Sequence, residues 1–453
     1  MASALAQRAP EENGALRGVA APLTGSLPAS APEAVSPPSP SPPAACTRRS
    51  SASCAFLRRF WSTRPVLMPT SRVRMKCLLR SMATLCNTTS SSRPFFGGFA
   101  TPERNVIFDI NDLDETLPAP FEWNLKRLAP SVAIAAEHLA LPRSDTARVV
   151  TDLVREYRER MVNYGWMRAL DVWYDRIDLQ KYEDRSADPH IVAAARKRLT
   201  ERIEAERRKT APDHLYPKMV SEEGEKPRIK DELPLIFHPT EEMAPGLTSG
   251  YAEAIASYRD SLAEHTRVLF DRFHFFDMAI KVVGVGSVGT MCGVGLFLAA
   301  DNDPLFLQVK EARASVLEPY AGKSLHSNHG QRVIIGQHLM QAASDVFLGW
   351  TRGKNGRHFY IRQLRDMKLS PVIEDWDTGM LRQYGRMCAH ALARAHARSG
   401  DAAMIAGYMG SGQTFDDAIC EFATEYCSQN RNDYRAFLAA IREGRIEARM
   451  EQE

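Results

Sequence analysis

The sequence predicts a mixed α/β (α+β) fold in which a β-rich segment is flanked by helical segments. Helical periodicity dominates from about residue 123 to 209 and again from about residue 378 to 448. Between these stretches, short apolar or β-branched runs follow one another at hairpin distance and are separated by glycines. Residues 1–95 are rich in Ala, Ser, Pro and Arg and show neither periodicity. We expect them to form a disordered tail, because such a stretch buries too little apolar surface to fold.

Charge and cysteine content limit the class of protein. The tail carries eleven Arg and one Lys against three Glu, so the formal net charge of +3 leaves the remainder at −6. This mildly acidic remainder does not support a nucleic-acid-binding surface. The eight cysteines include no Cys-x-x-Cys pair, which argues against a zinc site and against the disulfide framework of a secreted protein. We therefore expect a cytoplasmic protein, and Glu11 and Glu12 disfavour a targeting function of the tail.

The first predicted elements follow from local patterns. Asn105–Ile110 is an apolar run typical of a buried strand, and a helix is expected to begin near Trp123. The Pro-, Glu- and Lys-rich stretch at 210–247 predicts a loop or linker. A further helix is predicted at about 248–270.

The central part of the chain raises the question of a membrane span. Residues 282–300 carry no charge, so a membrane-spanning helix is one interpretation of this run. Its five glycines among β-branched residues instead favour two strands joined by a glycine turn, and we expect no membrane span. The elements predicted beyond it are a strand at Pro304–Lys310, an amphipathic helix at Gln331–Trp350, a strand at Phe359–Leu364, and helices with breaks at Ser399–Asp401 and Gly410–Gly412.

A glycine-rich turn and a lysine on the following strand form the first candidate site. Gly284, Gly286, Ser287 and Gly289 lie in the predicted strand–turn–strand, and Lys310 ends the next predicted strand. The N–H groups of such a turn close over phosphates, and a lysine on the next strand reaches their oxygens, as in the nucleotide lobe of protein kinases. The pattern predicts an ATP site. A glycine-rich hairpin with a solvated lysine is the alternative.

In kinases, a glutamate on the helix after this lysine holds the lysine in place. The predicted helix Gln331–Trp350 contains no glutamate. Gln337, Gln341 and Asp345 share one face of it, so one of them is expected to orient Lys310. The alternative is that the three side chains form a solvated stripe.

Carboxylates cluster directly after the first predicted strand, at Asp109, Asp112 and Asp114. Clustered carboxylates at a strand end are costly unless they are solvated or bind a cation, and Mg²⁺ with phosphate oxygens suits such ligands. We predict these aspartates as metal ligands, with an exposed acidic turn as the alternative. Together with the following helix start, the segment is similar to the metal-binding turn of aminoglycoside and choline kinases. Asn124 stands where that pattern has its second aspartate.

Five blocks of sequence carry a wider resemblance: Asn105–Leu128, Lys281–Tyr320, Gln331–Arg352, Phe359–Lys368 and Ala391–Asp401. They resemble the signature blocks of domain-of-unknown-function family 2252, a family of uncharacterised bacterial proteins, and the resemblance extends over residues 97–453. It implies a kinase-like, two-lobed domain at 96–453, with a β-rich nucleotide lobe at 272–370 and a helical lobe at 105–270 and 371–453. The two lobes would be circularly permuted, because the predicted metal turn precedes the glycine turn along the chain.

One departure from the family pattern concerns catalysis. Members carry a stretch of the form Gly-Asp-x-His-Leu-x-Asn-Phe-Gly just before Gly97, and it resembles the catalytic loop of small-molecule kinases. Ser90–Phe96 stands there instead and lacks the aspartate that accepts the substrate proton. No catalytic residue is nominated in its place.

The resemblance therefore implies a domain that binds ATP and Mg²⁺ and descends from a phosphotransferase, with impaired transfer to a small-molecule or protein substrate that the sequence does not identify. One alternative is a non-catalytic binding or scaffold protein, that is, a pseudoenzyme. The other is a truncated or misframed copy of the family protein.

Some further side chains have predicted roles. Three basic residues on or after a predicted strand are expected either to contact phosphate or to lie on a solvated face: Arg362, Arg365 and Lys368. His390 and His396 are six residues apart on a predicted helix, a spacing unsuited to a metal pair. Aromatic residues expected to pack in the core or between helices are Trp166, Trp173 and Tyr174.

Overall fold

Antiparallel sheets of six, three and two strands combine with long helices in the described part of the chain. The computed structural model describes residues 96–179, 181, 197, 200–206, 208, 211–222, 226–240, 250–282, 290–364, 368–374 and 376–446. These residues all belong to one unit, Ser53–Glu453. The predicted tail and the predicted glycine turn with Gly284, Gly286, Ser287 and Gly289 lie outside the described residues.

The strands are β1 Phe96–Ala100, β2 Val106–Ile110, β3 Ile177–Asp178, β4 Val220–Ser221, β5 Arg228–Ile229, β6 Ile236–Phe237, β7 His274–Lys281, β8 Cys292–Leu298, β9 Pro304–Ala312, β10 Gly349–Arg352 and β11 His358–Gln363. The helices are α1 Glu122–His138, α2 Arg143–Trp166, α3 Ala169–Tyr174, α4 Tyr216–Met219, α5 Tyr251–Ser261, α6 Glu264–Phe270, α7 Glu318–Ala321, α8 His329–Met340, α9 Thr378–Ser399, α10 Ala402–Met409 and α11 Thr414–Arg442. This combination of helices and strands confirms the predicted α/β (α+β) fold class.

The six-stranded sheet places Lys310 beside the start of β8. Its strand order is β10-β11-β9-β8-β7-β6, and each neighbouring pair is antiparallel. Lys310 pairs with Cys292 on β8 and with Tyr360 on β11. Cys292 is the first residue of β8, so Lys310 lies at the end of the sheet where β8 begins.

The two faces of this sheet have different covers. Successive side chains of a strand point to opposite faces, so Gln308 and Lys310 share one face of β9 while Leu307 and Val309 share the other. On the Lys310 face, α8 packs through a cluster of Ala312, Val333, Ile334, Leu348 and Tyr360. On the opposite face, α5 and α6 pack through a cluster that includes Tyr258, Leu262, Phe270, Phe297, Leu307 and Ile361.

The three-stranded sheet joins the helices in a separate apolar core. Strand order is β1-β2-β3, and the five residues of β2 are all buried. Gly97 and Gly98 of β1 sit where a side chain would collide with the chain at Leu369, since a Cβ on Gly97 would lie 2.7 Å from the Leu369 carbonyl oxygen. The glycines therefore allow Gly98 to exchange two backbone hydrogen bonds with Leu369, of 3.0 and 2.8 Å.

The longest helices meet through small residues. Ala389, Ala391, Ala393 and Ala395 of α9 are all completely buried. Alanine has the highest intrinsic helix propensity. Its small side chain also lets α2 and the other helices pack close to the α9 backbone. Asp377 caps the start of α9, where its Oδ1 accepts the N–H of Met380 at 2.7 Å.

Several predicted elements are confirmed: the strands at 105–110, 304–310 and 359–364, the helix that begins near Trp123, and the C-terminal helices with both of their breaks. The break at Ser399–Asp401 has a local cause, because the Asp401 carboxylate accepts the Met404 N–H at 2.9 Å and starts α10.

Other predictions are wrong in their bounds. The predicted helix Gln331–Trp350 ends at Met340, and its last residues instead form β10, which pairs with β11. The helix predicted at about 248–270 is divided into α5 and α6. The first strand predicted within 282–300 ends earlier, at Lys281. Among the described helices, none combines the length and the apolar composition that a membrane crossing requires.

Two of the three aromatic residues near the α2–α3 junction are more exposed than expected. Trp166 of α2 and Tyr174 of α3 are 88% and 71% exposed, so the prediction that they pack in the core or between helices is wrong. Trp173 of α3 is 44% exposed, and the Arg398 guanidinium of α9 stacks on its ring at 3.9 Å from the centroid. Trp173 therefore packs between helices, as predicted.

Candidate functional site

Lys310 is held by a carboxylate and a phenol on the same face of the sheet. Its Nζ lies 3.0 Å from Oδ2 of Asp114 and 2.7 Å from the hydroxyl of Tyr360. The Tyr360 hydroxyl in turn donates to Oδ1 of Asp114 at 2.5 Å. The three polar groups thus form a closed triangle.

Arg332 of helix α8 positions Asp114 by binding backbone carbonyl oxygens around it. The Arg332 guanidinium donates to the carbonyl oxygens of Thr116 at 2.6 Å, of Asp114 at 2.8 Å and of Arg313 at 3.1 Å. Glu115 also ties the segment to the chain after β9, because its carboxylate accepts the Val316 N–H at 2.9 Å. The acidic segment, residues 112–116, is therefore held by α8 and by the chain after β9 before any ligand binds.

The electrostatics of the triangle favour a charged carboxylate. Burial raises the pKa of Asp114, but the positive charge of Lys310, the Tyr360 hydrogen bond and nearby Arg362 outweigh burial and hold that pKa well below its usual range. Burial and the Asp114 charge raise the pKa of Tyr360 well above its usual value. At neutral pH the triangle therefore consists of a carboxylate, a neutral phenol and the Lys310 amine.

A row of polar side chains extends from Lys310 across the same face. Gln308 is 1% exposed, and its carboxamide oxygen accepts from Nε of Arg362 at 3.1 Å. The Gln308 amide lies 3.5 Å from the Cys292 sulfur. Arg362 pairs with Gln308, two residues along β9 from Lys310, and therefore lies on the Lys310 face of the sheet.

The three predicted metal ligands have different surroundings. Both oxygens of Asp109 accept hydrogen bonds, from the Ile110 and Ala342 N–H groups at 2.8 Å each, and Oδ1 also accepts from Arg394 at 2.6 Å. Asp114 faces Lys310. Asp112 is half-buried and has no hydrogen-bond or ion-pair partner among the described residues. Its charge nevertheless raises the pKa of Tyr360, after burial and Asp114, so it lies near the triangle.

In the part of the chain that the structure describes, no group of three or more His, Cys, Asp or Glu side chains is arranged to hold a metal ion. The structure brings Lys310, Asp112 and Asp114 together and places Asp109 apart from them, in the helical core.

The polar residues predicted to orient Lys310 have other partners. Gln341 donates to the Ile110 carbonyl oxygen at 2.6 Å. Asp345 accepts the N–H groups of Phe347, at 2.8 Å, and of Gln363. The prediction that one of these side chains or Gln337 orients Lys310 is wrong, because Lys310 contacts Asp114 and Tyr360.

Two buried histidines lie on α9, outside the Lys310 face. His396 contacts the Asn124 amide at 2.9 Å and the Tyr157 hydroxyl at 2.7 Å through different ring nitrogens. His390 contacts Tyr164 at 3.1 Å, and Tyr164 donates to Asp175. The two histidines thus belong to separate hydrogen-bonded groups, as their spacing predicts.

Sequence reasoning missed Tyr360 and Arg332. Tyr360 lies in a strand that was predicted, and strand pairing puts it directly beside Lys310. The missing glutamate in α8 was the signal that the Lys310 partner comes from elsewhere in the chain. The catalytic-loop position at Ser90–Phe96 lies outside the described residues except for Phe96.

Comparisons with known proteins give one match. The model of a family described as uncharacterised protein conserved in bacteria (DUF2252) matches residues 95–440. No curated protein and no solved structure matches the chain.

Proposed function

The chain belongs to the DUF2252 family of uncharacterised bacterial proteins, and we propose that its Lys310 face binds the phosphate groups of ATP together with Mg²⁺. The observation that carries the proposal is the Lys310–Asp114–Tyr360 triangle, which lies at the end of the sheet where β8 begins, three residues along the chain from Gly289 of the predicted glycine turn. A lysine held by a carboxylate beside such a turn is the arrangement that kinases use to neutralise phosphates.

The order of the strands supports this proposal. Strands β7, β8 and β9 are consecutive neighbours in the sheet, and residues 283–289 join the first two. Lys310 pairs with Cys292, three residues after Gly289. The chain then passes through α8, which packs on the Lys310 face and returns to the sheet. This is the sequence of elements expected of a nucleotide lobe.

The residues fit a hard divalent cation. Asp112 is half-buried and has no hydrogen-bond or ion-pair partner among the described residues. Its charge acts on Tyr360, so it is proposed as a ligand together with Asp114, whose oxygens keep lone pairs beyond their hydrogen bonds from Lys310 and Tyr360. Mg²⁺ is commonly bound through one or two carboxylates, several waters and substrate phosphates. When bound, the ion would supply positive charge to the phosphate oxygens. Asp109 remains a predicted ligand, but its oxygens already accept hydrogen bonds from Ile110, Ala342 and Arg394.

Arg362 adds a second cation to the proposed site. Gln308 holds its Nε, so the remaining guanidinium N–H groups are free to turn toward an anion on the Lys310 face. A planar guanidinium binds phosphate oxygens through two parallel hydrogen bonds. The proposed site therefore offers two cations to a polyphosphate and two carboxylates to its metal.

Binding is proposed to persist without efficient transfer. The family's catalytic-loop stretch, with its aspartate base, does not occur at Ser90–Phe96. Positioning and charge neutralisation are separate from proton acceptance in phosphoryl transfer. We therefore expect nucleotide binding with weak or absent phosphoryl transfer to any substrate.

A thermal-shift titration of the full chain with ATP, with and without Mg²⁺, tests the proposal. A ligand present at about 100 times its Kd stabilises a folded protein by about 2.7 kcal/mol. The expected result is a rise in Tm that requires both ATP and Mg²⁺. The Lys310→Met variant, compared with its own unliganded Tm, should lose this rise. Lys218→Met serves as the control because Lys218 is exposed on α4.

Asp112→Asn provides the sharper variant. Since Asp112 has no described partner, its substitution should leave the unliganded Tm unchanged and remove the Mg²⁺ requirement along with most of the rise. Asp171→Asn, in the exposed Arg168–Asp171 pair, is the matched control. A Tm that stays constant in a well-folded parent at millimolar ATP and Mg²⁺ would refute the proposal.

One observation favours a second candidate, a non-catalytic binding or scaffold protein. Asp114 and Tyr360 already accept hydrogen bonds from Lys310. The triangle can therefore serve as a structural element that joins β9, β11 and the acidic segment. In that case, Lys310→Met lowers the Tm of the unliganded protein, and ATP has no effect on either form.

A further inference from the structure

A cavity lies on the face of the six-stranded sheet opposite Lys310. Its volume is about 260 Å³, and it is bounded by β7, β8, β9 and β11 on one side and by α5 on the other. The turn at 353–355 forms one end of it. Leu307 and Val309 line the cavity, whereas Gln308 and Lys310 of the same strand point away from it. The cavity is therefore separate from the proposed phosphate site.

Small residues face this space from both walls. Gly293 of β8 lines the cavity and has no side chain to fill the gap between the sheet and α5. On α5, Ala254 faces the same space with a single methyl group. Tight packing is normal in protein interiors, so an apolar hollow of this size in a native sheet suggests an occupant.

The walls of the cavity are apolar in chemistry as well as in composition. Phe275, Phe297 and Phe359 contribute aromatic surface. Two lining hydroxyl groups are engaged elsewhere, since Tyr258 donates to the Phe347 carbonyl oxygen and Thr351 donates to that of Ala254, at 2.7 and 2.8 Å. Tyr251 adds a third hydroxyl to the lining. Among the described lining residues, none is acidic.

A cation and an amide lie at the end formed by the turn. Lys354 is exposed there and makes no ion pair with the described residues. The carboxamide oxygen of Asn355 accepts the Arg357 N–H at 3.1 Å, which leaves the Asn355 amide to donate. One end of an apolar cavity thus carries only hydrogen-bond donors and positive charge among its described lining side chains.

We propose that this cavity binds a small organic anion with an apolar body, of the class of medium-chain carboxylates, with its head group at Lys354 and Asn355. The apolar chain fills the space that Gly293 and Ala254 leave between the sheet and α5. The carboxylate stays at the rim, where Lys354 neutralises it without the cost of burying a charge. This site is independent of nucleotide binding.

Three probes with one chain length and different head groups test the proposal on the full chain: octanoate, 1-octanol and octylammonium. Calorimetric titration should give the order octanoate, octanol, octylammonium from tightest to weakest. Because Lys354 is exposed, its charge should improve octanoate binding by only about two- to fivefold over octanol. Lys354→Gln should remove that difference and leave octanol binding unchanged.

Filling the cavity from either wall should abolish binding. Ala254→Phe from α5 and Val309→Phe from β9 should each raise the Kd of octanoate by at least about tenfold. Ala256→Leu is the matched control, because Ala256 is exposed on the same helix and should leave binding intact. Circular dichroism melts establish that each variant is folded, and the two fillings approach the cavity from different elements.

The outcomes decide between the proposal and its rejection. Octanoate binding that both folded filling variants lose, and that Ala256→Leu retains, supports it. Binding that persists in either folded filling variant places the ligand elsewhere and overturns it. Equal affinity of the parent for octanoate and octanol, or no binding of octanoate at millimolar concentration, also overturns it.

Discussion

Asp109 and Arg394 form an ion pair in the helical core, with Nη2 of the guanidinium 2.6 Å from Oδ1 of the carboxylate. The side chains are 0% and 1% exposed, respectively. The same guanidinium nitrogen donates to the Met340 carbonyl oxygen at 3.0 Å, and the second Asp109 oxygen accepts the Ala342 N–H at 2.8 Å. The pair therefore connects three elements at one point: the end of β2, the end of α8, and α9.

Asp109→Asn should destabilise the protein strongly. Removing one member of a buried pair leaves the other charge uncompensated, which costs about 3–5 kcal/mol. Chemical denaturation would measure the free energy of unfolding. Asp171→Asn, in the exposed Arg168–Asp171 pair, should cost about 0–1 kcal/mol. If Asp109 served instead as a metal ligand, its substitution would change the Mg²⁺ response and leave the metal-free stability close to that of the control.

The Lys310–Asp114 contact should show energetic coupling. Lys310→Met and Asp114→Asn should each lower the free energy of unfolding by about 1.5–3 kcal/mol, because each leaves a charged hydrogen-bonding partner without its counterpart. The double variant should cost less than the sum of the two, with a coupling energy of about 0.5–3 kcal/mol. A cycle on the exposed Arg445–Glu443 pair should give under about 1 kcal/mol. Additive effects at Lys310 and Asp114 would mean that the contact contributes little in solution.

Local patterns predicted most of the elements but not their tertiary partners. The strand with Lys310 was predictable because its apolar run is short and stands at hairpin distance from the preceding glycine-rich run. The end of α8 was not. Around the end of α8 the carbonyl oxygens of His338 and Gln341 accept from Arg398, and beyond it Asp345 accepts N–H groups from Phe347 and Gln363. These partners lie up to 60 residues away along the chain, so helical periodicity alone runs past the true end.

The candidate site shows the same limit. Lys310 and the acidic segment were both identified from sequence, each for its own chemistry. Their contact spans 196 residues, and no local pattern encodes it. Strand β1 was missed because two glycines are unfavourable in a strand interior, whereas here they are needed for the close approach of Leu369.

His396 should make the protein less stable in acid. Burial lowers its pKa to about 4, while an unfolded histidine has a pKa of about 6.5. The unfolded state therefore binds more protons between these values, and stability should fall as the pH drops from about 6.5 to 4, by at most about 1.4 kcal/mol per pH unit. His396→Gln should flatten this part of the stability profile. The exposed His138→Gln should not. A profile that His396→Gln leaves unchanged would show that His396 does not control acid stability.

His238 should act on the alkaline side of the profile. Its two ring nitrogens lie 2.8 Å from Asp231 and 2.9 Å from Asp277. The hydrogen bond with Asp277, the Asp277 charge and the hydrogen bond with Asp231 together raise the pKa of His238 more than burial and Arg228 lower it.

A group whose pKa is raised on folding stabilises the protein fully below its unfolded pKa, about 6.5 for histidine, and loses this contribution as the pH rises through its folded value. Stability should therefore decrease above about pH 6.5, and His238→Gln should reduce that slope, whereas the exposed His274→Gln should keep it. Hydrogen exchange locates the effect, because the Ile229 N–H donates to Asp277 at 2.7 Å. After correction for intrinsic rates, its protection should fall with rising pH faster in the parent than in His238→Gln. Equal pH dependence in both proteins would show that the Asp231–His238–Asp277 contact does not hold Ile229 and its strand β5 against β7.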